Sequence, residues 1–322
     1  MKTYSSKLEF KKDWDNPSFV FKMKTSGSTG KQKEIVLKKN LIITSVNSTL
    51  QAIGEIKNLK MLCCLPTDKM GGFMQLARSV SWESEIEVHV PSSNPMLGIN
   101  TDHDFRLISL SPHQIGKILQ DTDSLNKLHL FDVVLIGGAS LNQLAEQKLL
   151  SLRNTSFYVT YGMTETYSHV AIRELGHTYY KLLNKVEGRL GKDGVLELKG
   201  AVTHDKWLQT EDIVEFKEEG IFKLLGRKQG VVNSGGIKFF TEQIEELLSP
   251  QLIYPFFITK VEDDIYGETI ALVSSPAEKV DLEKLNEILQ NKLGKHAKIR
   301  KQFSQNITFD PTTGKVKRVI VS

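Results

Sequence analysis

"KTSGSTGKQKEIVLKK", residues 24–39, sets small hydroxylated residues, two glycines and several lysines between two β-prone runs. Ahead of it, "SFVFKMK" (18–24) alternates Phe19, Phe21 and Met23 against Val20 and Lys22; behind it, "EIVLKK" (34–39) is again strand-like. The pattern predicts strand, loop, strand. Glycine lets a backbone approach an anion and turn its N–H dipoles toward it. With the hydroxyls of Thr25, Ser26, Ser28 and Thr29, and the charges of Lys31 and Lys33, the loop suits a polyphosphate. The usual nucleotide loop, G-x-x-x-x-G-K-[ST], is not met, because Thr25 and Gln32 stand where glycine and a hydroxyl residue belong. An ordinary turn-rich hairpin loop is the competing reading, so the rest of the chain must decide.

The chain has 322 residues, enough for two or three domains, and its 40% hydrophobic and 25% charged content is that of a soluble globular protein. A net charge of +4 is too small to point to a nucleic-acid partner. No apolar run approaches the roughly 18 residues of a membrane span, and the first residues lack a signal-peptide core. The adjacent Cys63 and Cys64 sit in the apolar run "KMLCCL" and read as small core residues in a reducing compartment, which makes a cytoplasmic protein the expectation.

Short apolar runs alternate with amphipathic segments: "KMLCCL" with "GGFMQLARSV", "RLISLS" with "PHQIGKILQ", "DVVLIGG" with "LNQLAEQKLLSL". This alternation predicts an α/β domain with a largely parallel sheet, whose ligands gather beyond the carboxyl ends of the strands. "IGGAS" (136–140) and "VTYGMTET" (159–166) fall at such ends. After about Gly191 the texture changes to short strands ("GVLELKG", "DIVEF", "GIFKLLG") with "KEEG" as a hairpin turn. A helix capped by Thr241, strands in "LIYPFFIT" and "TIALVSS", a helix in "DLEKLNEILQNKL" and a closing strand "KVKRVIVS" follow, with the basic run "KLGKHAKIRK" as a solvated face. We expect a large domain over residues 1–227 and a small mobile α+β domain over 228–322.

Six islands occur in a fixed order: "TSGSTGKQK" (25–33), "GGAS" (137–140), "YGMTET" (161–166), "LQTED" (208–212), "GRKQGVVNSGGIKFFTEQIE" (226–245) and "PTTGKVKR" (311–318). Together they resemble the successive core motifs of the adenylate-forming acyl-CoA synthetase superfamily. The wording of "CLPTDKMGGFMQLARSV", "YGMTETYSHVAIREL" and "VVNSGGIKFF" is most similar to its o-succinylbenzoate–CoA ligases, the menaquinone-pathway members. Only 24 residues precede the first motif, a compact version of a family that usually carries a large N-terminal subdomain there. Gln32, Lys69, Glu211 and Gln229 depart from the residues common at their positions, and none of them removes an expected catalytic group.

The resemblance implies an acid activated by ATP to an acyl-adenylate and then passed to CoA. Thr25, Ser26, Gly27, Ser28, Thr29, Gly30 and Lys33 would hold phosphates, Thr164 the α-phosphate, and Glu165 a Mg²⁺ ion. Gly137, Gly138 and Ala139 would lie against the adenine, with Tyr161 stacking on it and Gly162 beside it; Asp212 and Arg227 would meet the ribose. Lys315 would bridge carboxylate and α-phosphate as a point charge. A rotation about 228–229 would withdraw it and present Ser234, Gly235 and Gly236 to pantetheine. Lys69, Arg78, His169 and Arg173 are candidates for the second carboxylate of a small aromatic dicarboxylic acid, since a buried carboxylate needs a cationic partner. Another aryl or short-chain acid, a carrier-protein thiol in place of CoA, or a non-catalytic adenylate-binding module are the alternatives. Oligomeric state is not readable.

Overall fold

The computed structural model describes residues 2–24, 33–308 and 316–320. Residues Thr25 to Gly30, expected to hold phosphates, and the lysine at 315 lie outside the described residues. The chain divides into two compact units: Met1–Arg189 with Glu197–Leu208 and Phe216–Lys223, and Leu190–Leu196 with Gln209–Glu215 and Leu224–Ser322.

The first unit is built on the parallel strands that the apolar runs predict. Lys60–Cys63 pairs with Glu85–Val88 and Leu107–Leu110, the latter with Val133–Ile136, and that strand with Ser156–Met163. Every residue of Leu107–Leu110 and Val133–Ile136 is buried, as expected of strands covered on both faces. The sheet continues antiparallel through Ser168–Glu174 and Tyr180–Leu182 to Ile221 and Phe222. The "KEEG" turn forms as expected, with Gly220 at φ +73.

Two helices lie outside the alternating runs quoted above. Helix α1 (Lys7–Asp15) is mostly charged, yet Phe10 and Trp14, one turn apart, are buried. Phe10 meets the rings of Tyr4, Trp14, Phe21 and Phe73 at centroid distances of 5.0, 5.6, 5.6 and 5.4 Å. Its N-terminus is fixed by Ser6, whose hydroxyl accepts from the Glu9 N–H, while the Glu9 carboxylate accepts from the Ser5 N–H. Helix α2 (Lys39–Ile53) follows directly on Glu34–Leu37, which pairs antiparallel with Phe21–Lys24. Helix α3 (Met70–Ser81) is buried from Gly72 to Ser79.

The second unit has its own core of Val232, Phe239, Ile244, Leu248, Ile258, Ile270, Leu272, Leu285, Leu289 and Ile299. Hairpins Val231–Ser234/Ile237–Phe240 and Phe256–Asp263/Gly267–Ser274 carry it, with helices Thr241–Leu248 and Leu282–Leu293. Four sequence expectations are corrected here. Thr241 is not the cap of its helix: Phe240 takes that place as the chain leaves the strand, no side chain caps it, and the Thr241 hydroxyl donates to Glu242. The strand expected in "LIYPFFIT" begins only at Phe256, after Pro255, which has no N–H to give a ladder. The basic run conceals the start of a strand, Ile299–Ser304, parallel to Gly267–Ser274; its lysines stay exposed while Ala297 and Ile299 enter the core. "KVKRVIVS" makes no ladder over 316–320 beyond one bridge at Val316. Side chains hold it instead: Arg318 donates to both Glu245 oxygens at 2.6 Å and to the Ile258 carbonyl at 3.0 Å.

The entry to α3 makes the first unit sensitive at one glycine. A Cβ on Gly72 would lie 2.5 Å from the Pro66 carbonyl oxygen and 2.6 Å from that of Leu65, both fixed backbone. Gly72→Ala should therefore destabilise the fold by roughly 2 kcal/mol or more, read as a shift in urea midpoint, whereas Gly116→Ala, with open space around it, should not.

Candidate active site

Two turns stand at the carboxyl ends of neighbouring parallel strands. The first is Gly137–Gly138–Ala139, after Val133–Ile136. A Cβ on Gly137 would sit 2.4 Å from Thr160 Oγ1, and Gly138 has φ +92. Thr160 in turn donates to the Ile136 carbonyl at 3.1 Å, closing one strand end on the next.

The second turn carries Thr164 and Glu165, both half-buried. A short 3-10 turn, Thr164–Thr166, follows the strand, and Tyr167 and Ser168 then take positive φ of +55 and +92. Such angles are costly for residues with a Cβ. Thr166 fixes the turn from inside: its hydroxyl accepts from the Met163 N–H at 3.0 Å and donates to the Ser168 carbonyl at 2.7 Å. The close approach demands glycine at 162, where a Cβ would fall 2.1 Å from the Ser168 oxygen and 2.4 Å from the His169 Cα. Tyr161 is packed inward, 8% exposed, with its ring edge-on to Phe222 at 5.5 Å and to Tyr180 at 6.0 Å. Its surroundings here are those of a core aromatic. Lys33 leads into Glu34–Leu37 and is exposed.

Among the four candidate partners of a second carboxylate, the structure brings two together. Arg78, in the last turn of α3, is 2% exposed, and its Nε and Nη2 have no hydrogen-bond partner among the described residues. Burial alone pushes its pKa down to about 10, which leaves it charged at neutral pH. His169 is buried beside it, and burial with the nearby Arg78 charge holds the imidazole well below its usual pKa, hence neutral. Its Nε2 lies 2.8 Å from Thr49 Oγ1. Lys69 is elsewhere. It precedes the first turn of α3, exposed, roughly 13 Å of helix from Arg78. Arg173 is engaged: it pairs with Glu146, donates to the His177 carbonyl at 2.9 Å and lies over the Tyr180 ring.

Within the second unit, Asp212 is buried and faces Arg227, whose Nε is 3.3 Å from its Oδ1; the half-exposed arginine leaves this pair open to solvent on one side. Gly235 and Gly236, with φ of +59 and +82, form the two-residue turn between Val231–Ser234 and Ile237–Phe240. That is the type of turn whose twist matches a hairpin and which glycine accepts. The Gly235 N–H donates to the Tyr266 carbonyl at 2.9 Å, and Arg300 lies 4.0 Å over the Tyr266 ring. Sequence reasoning missed Ser45 and Thr49 on α2; their one signal is a pair of hydroxyls four residues apart in an otherwise apolar helix face.

Among the described residues no three His, Cys, Asp or Glu side chains gather as a metal cage. Mg²⁺ does not require one, since it takes one or two carboxylates together with phosphate oxygens. A half-buried Glu165 at a strand end fits that demand.

Comparisons with known proteins agree with the motifs. The 2-succinylbenzoate–CoA ligase of Staphylococcus epidermidis is 27% identical over 92% of this chain and 68% of its own length, and that of Bacillus anthracis is 25% identical over 84% and 63%. The chain thus spans about two-thirds of the length of these curated relatives. Among solved structures, an acyl-CoA synthetase (AMP-forming)/AMP-acid ligase II-like protein from Dyadobacter fermentans is 28% identical, with a TM-score of 0.64 over 96% of this chain and 90% of that one. The o-succinylbenzoate CoA synthetase of Bacillus subtilis, solved with its acyl-adenylate intermediate, shares the fold at 20% identity, with a TM-score of 0.77 over 92% of this chain and 67% of that one. The model of the AMP-binding enzyme family matches residues 4–192, more than half of the sequence, and the chain belongs to that family.

Proposed function

We propose that the protein is an AMP-forming acid–CoA ligase acting on 2-succinylbenzoate, in the cytoplasm. The observation that carries the choice of acid is Arg78, a buried guanidinium with two nitrogens lacking an acceptor among the described residues. An unpaired buried charge costs several kcal/mol, and an acid with a second carboxylate offsets that cost on binding. Neutral His169 adds no second positive charge, so the subsite suits one carboxylate. The named relatives support the same acid.

In the first step a carboxylate oxygen of the acid attacks the α-phosphorus of ATP, the bond to the bridging oxygen breaks, and pyrophosphate leaves. Two anions must meet, so charge neutralisation is the main demand. Thr25, Ser26, Gly27, Ser28, Thr29, Gly30 and Lys33 hold the terminal phosphates, Thr164 bonds the α-phosphate, and Lys315 bridges it to the carboxylate. Glu165 holds Mg²⁺, which supplies positive charge to the phosphates. Gly137, Gly138 and Ala139 line the base, with Tyr161 and Gly162 behind it. Asp212 accepts from the ribose hydroxyls, with Arg227 beside it. In the second step the CoA sulfur attacks the acyl carbonyl, AMP leaves, and the thiol proton goes to solvent. Residues 228–322 turn about 228–229 between the steps, withdrawing Lys315 and bringing Ser234, Gly235 and Gly236 to pantetheine.

With ATP, Mg²⁺ and CoA, 2-succinylbenzoate should release pyrophosphate far faster than benzoate, acetate or a fatty acid. A better fatty acid would overturn the choice of substrate, and silence with every acid would leave a non-catalytic adenylate-binding module. Arg78→Met should raise KM for 2-succinylbenzoate by about 10²-fold, equivalent to about 2.7 kcal/mol. The free enzyme should melt no lower than wild type, because the variant removes an unpaired buried charge; a lower Tm with an unchanged KM would mark Arg78 as structural. Lys315→Ala should slow adenylation by roughly 10²–10³-fold yet spare thioester formation from pre-made acyl-adenylate. Equal loss in both half-reactions would refute the alternation.

A further inference from the structure

The turn that carries Thr164 and Glu165 is strained and is held from below by a helix with no ligand role of its own. Ser45 and Thr49 lie four residues apart on α2, so they share one face, and they are 2% and 0% exposed. The Ser45 hydroxyl donates to the Tyr167 carbonyl at 2.7 Å. Thr49 Oγ1 donates to the Ser45 carbonyl at 3.0 Å. Thr49 Oγ1 also lies 2.8 Å from His169 Nε2, a hydrogen bond whose direction follows the imidazole tautomer. At the start of the same helix, the Lys38 N–H reaches the Tyr167 hydroxyl at 3.3 Å.

We propose that Ser45 and Thr49 are positioning residues, which hold the positive-φ pair Tyr167–Ser168 and thereby set Thr164 and Glu165 against the phosphates. The proposal rests on the ligase reading and assigns residues to that site which touch no substrate. Two arguments favour it over plain packing. Buried serine and threonine in a helix interior, bonded back to the preceding turn, are poorer for helix stability than Ala. And two adjacent non-glycine residues at positive φ persist only where their surroundings over-determine them. Here the constraints are the Ser45 and Thr166 hydrogen bonds and the close pass of Gly162 under the Ser168 oxygen. Because α2 directly follows Glu34–Leu37, one rigid helix joins the segment after the phosphate loop to the turn bearing Glu165.

The test compares Thr49→Val, which keeps shape and loses the hydroxyl, with Thr49→Ser, which keeps the hydroxyl, and adds Ser45→Ala. Two readouts are taken: calorimetric binding of Mg·ATP without acid, and amide hydrogen exchange across 163–169. Thr49→Val and Ser45→Ala should weaken Mg·ATP binding by ~10-fold, the scale seen when a partner behind a ligand is removed, and should speed exchange in the turn. Thr49→Ser should restore both. The proposal is overturned if Thr49→Val binds and exchanges as wild type, or if Thr49→Ser is as damaged as Thr49→Val, which would assign the effect to packing. A wild type that releases no pyrophosphate with any acid sinks the ligase reading alone, because the exchange comparison still decides what Thr49 holds.

Discussion

A guanidinium sealed from water with two nitrogens unpaired among the described residues is a cost that the rest of the first unit must carry. Arg78 could not be kept charged there if its neighbour were charged too. Burial and that same arginine keep His169 neutral. His169 Nε2 meets Thr49 Oγ1 at 2.8 Å, Thr49 Oγ1 reaches the Ser45 carbonyl, and the Ser45 hydroxyl donates to the Tyr167 carbonyl. The buried Arg78–His169 pair is thereby tied, through the side chains of Thr49 and Ser45, to the backbone that follows Glu165.

Much of the frame was legible in the sequence. Parallel strands buried on both faces must be continuous apolar runs, and "RLISL" and "DVVLI" are such runs. The missing elements were those whose stability is not periodic. Helix α1 shows only Phe10 and Trp14 among charges, and it exists because those two rings find Tyr4, Phe21 and Phe73 from elsewhere in the chain. Ile299–Ser304 was hidden by the lysines around it, which stay exposed while Ile299 turns in. Thr241 has the composition of a cap, but the strand before it delivers Phe240 to the cap position.

The surroundings of the candidate site residues were not legible in the sequence. Lys69, Arg78, His169 and Arg173 are equivalent as letters. Only the fold separates an exposed residue at the head of α3, a guanidinium spent on Glu146, and a buried pair. Likewise the glycines of "NSGG" read as room for a ligand, whereas their positive φ shows that the hairpin itself requires them. The two explanations differ in what they forbid: a channel forbids bulk, while the turn forbids any side chain that cannot take positive φ.

The first unit carries costs that a fold selected for stability alone would shed: an unpaired buried arginine, hydroxyls inside α2, and Tyr167 and Ser168 at positive φ. All three lie on one line from α3 through α2 to the turn bearing Glu165, while the aromatic cluster around Phe10 and the fully buried parallel strands contribute apolar burial without such costs. A core distributed in this way lets strain be held at a site without lowering the stability of the whole below what folding needs. It also separates two kinds of substitution. Changes around Phe10 or at Gly72 act on folding, while a change at Arg78 removes an unpaired buried charge and leaves stability unchanged or improved.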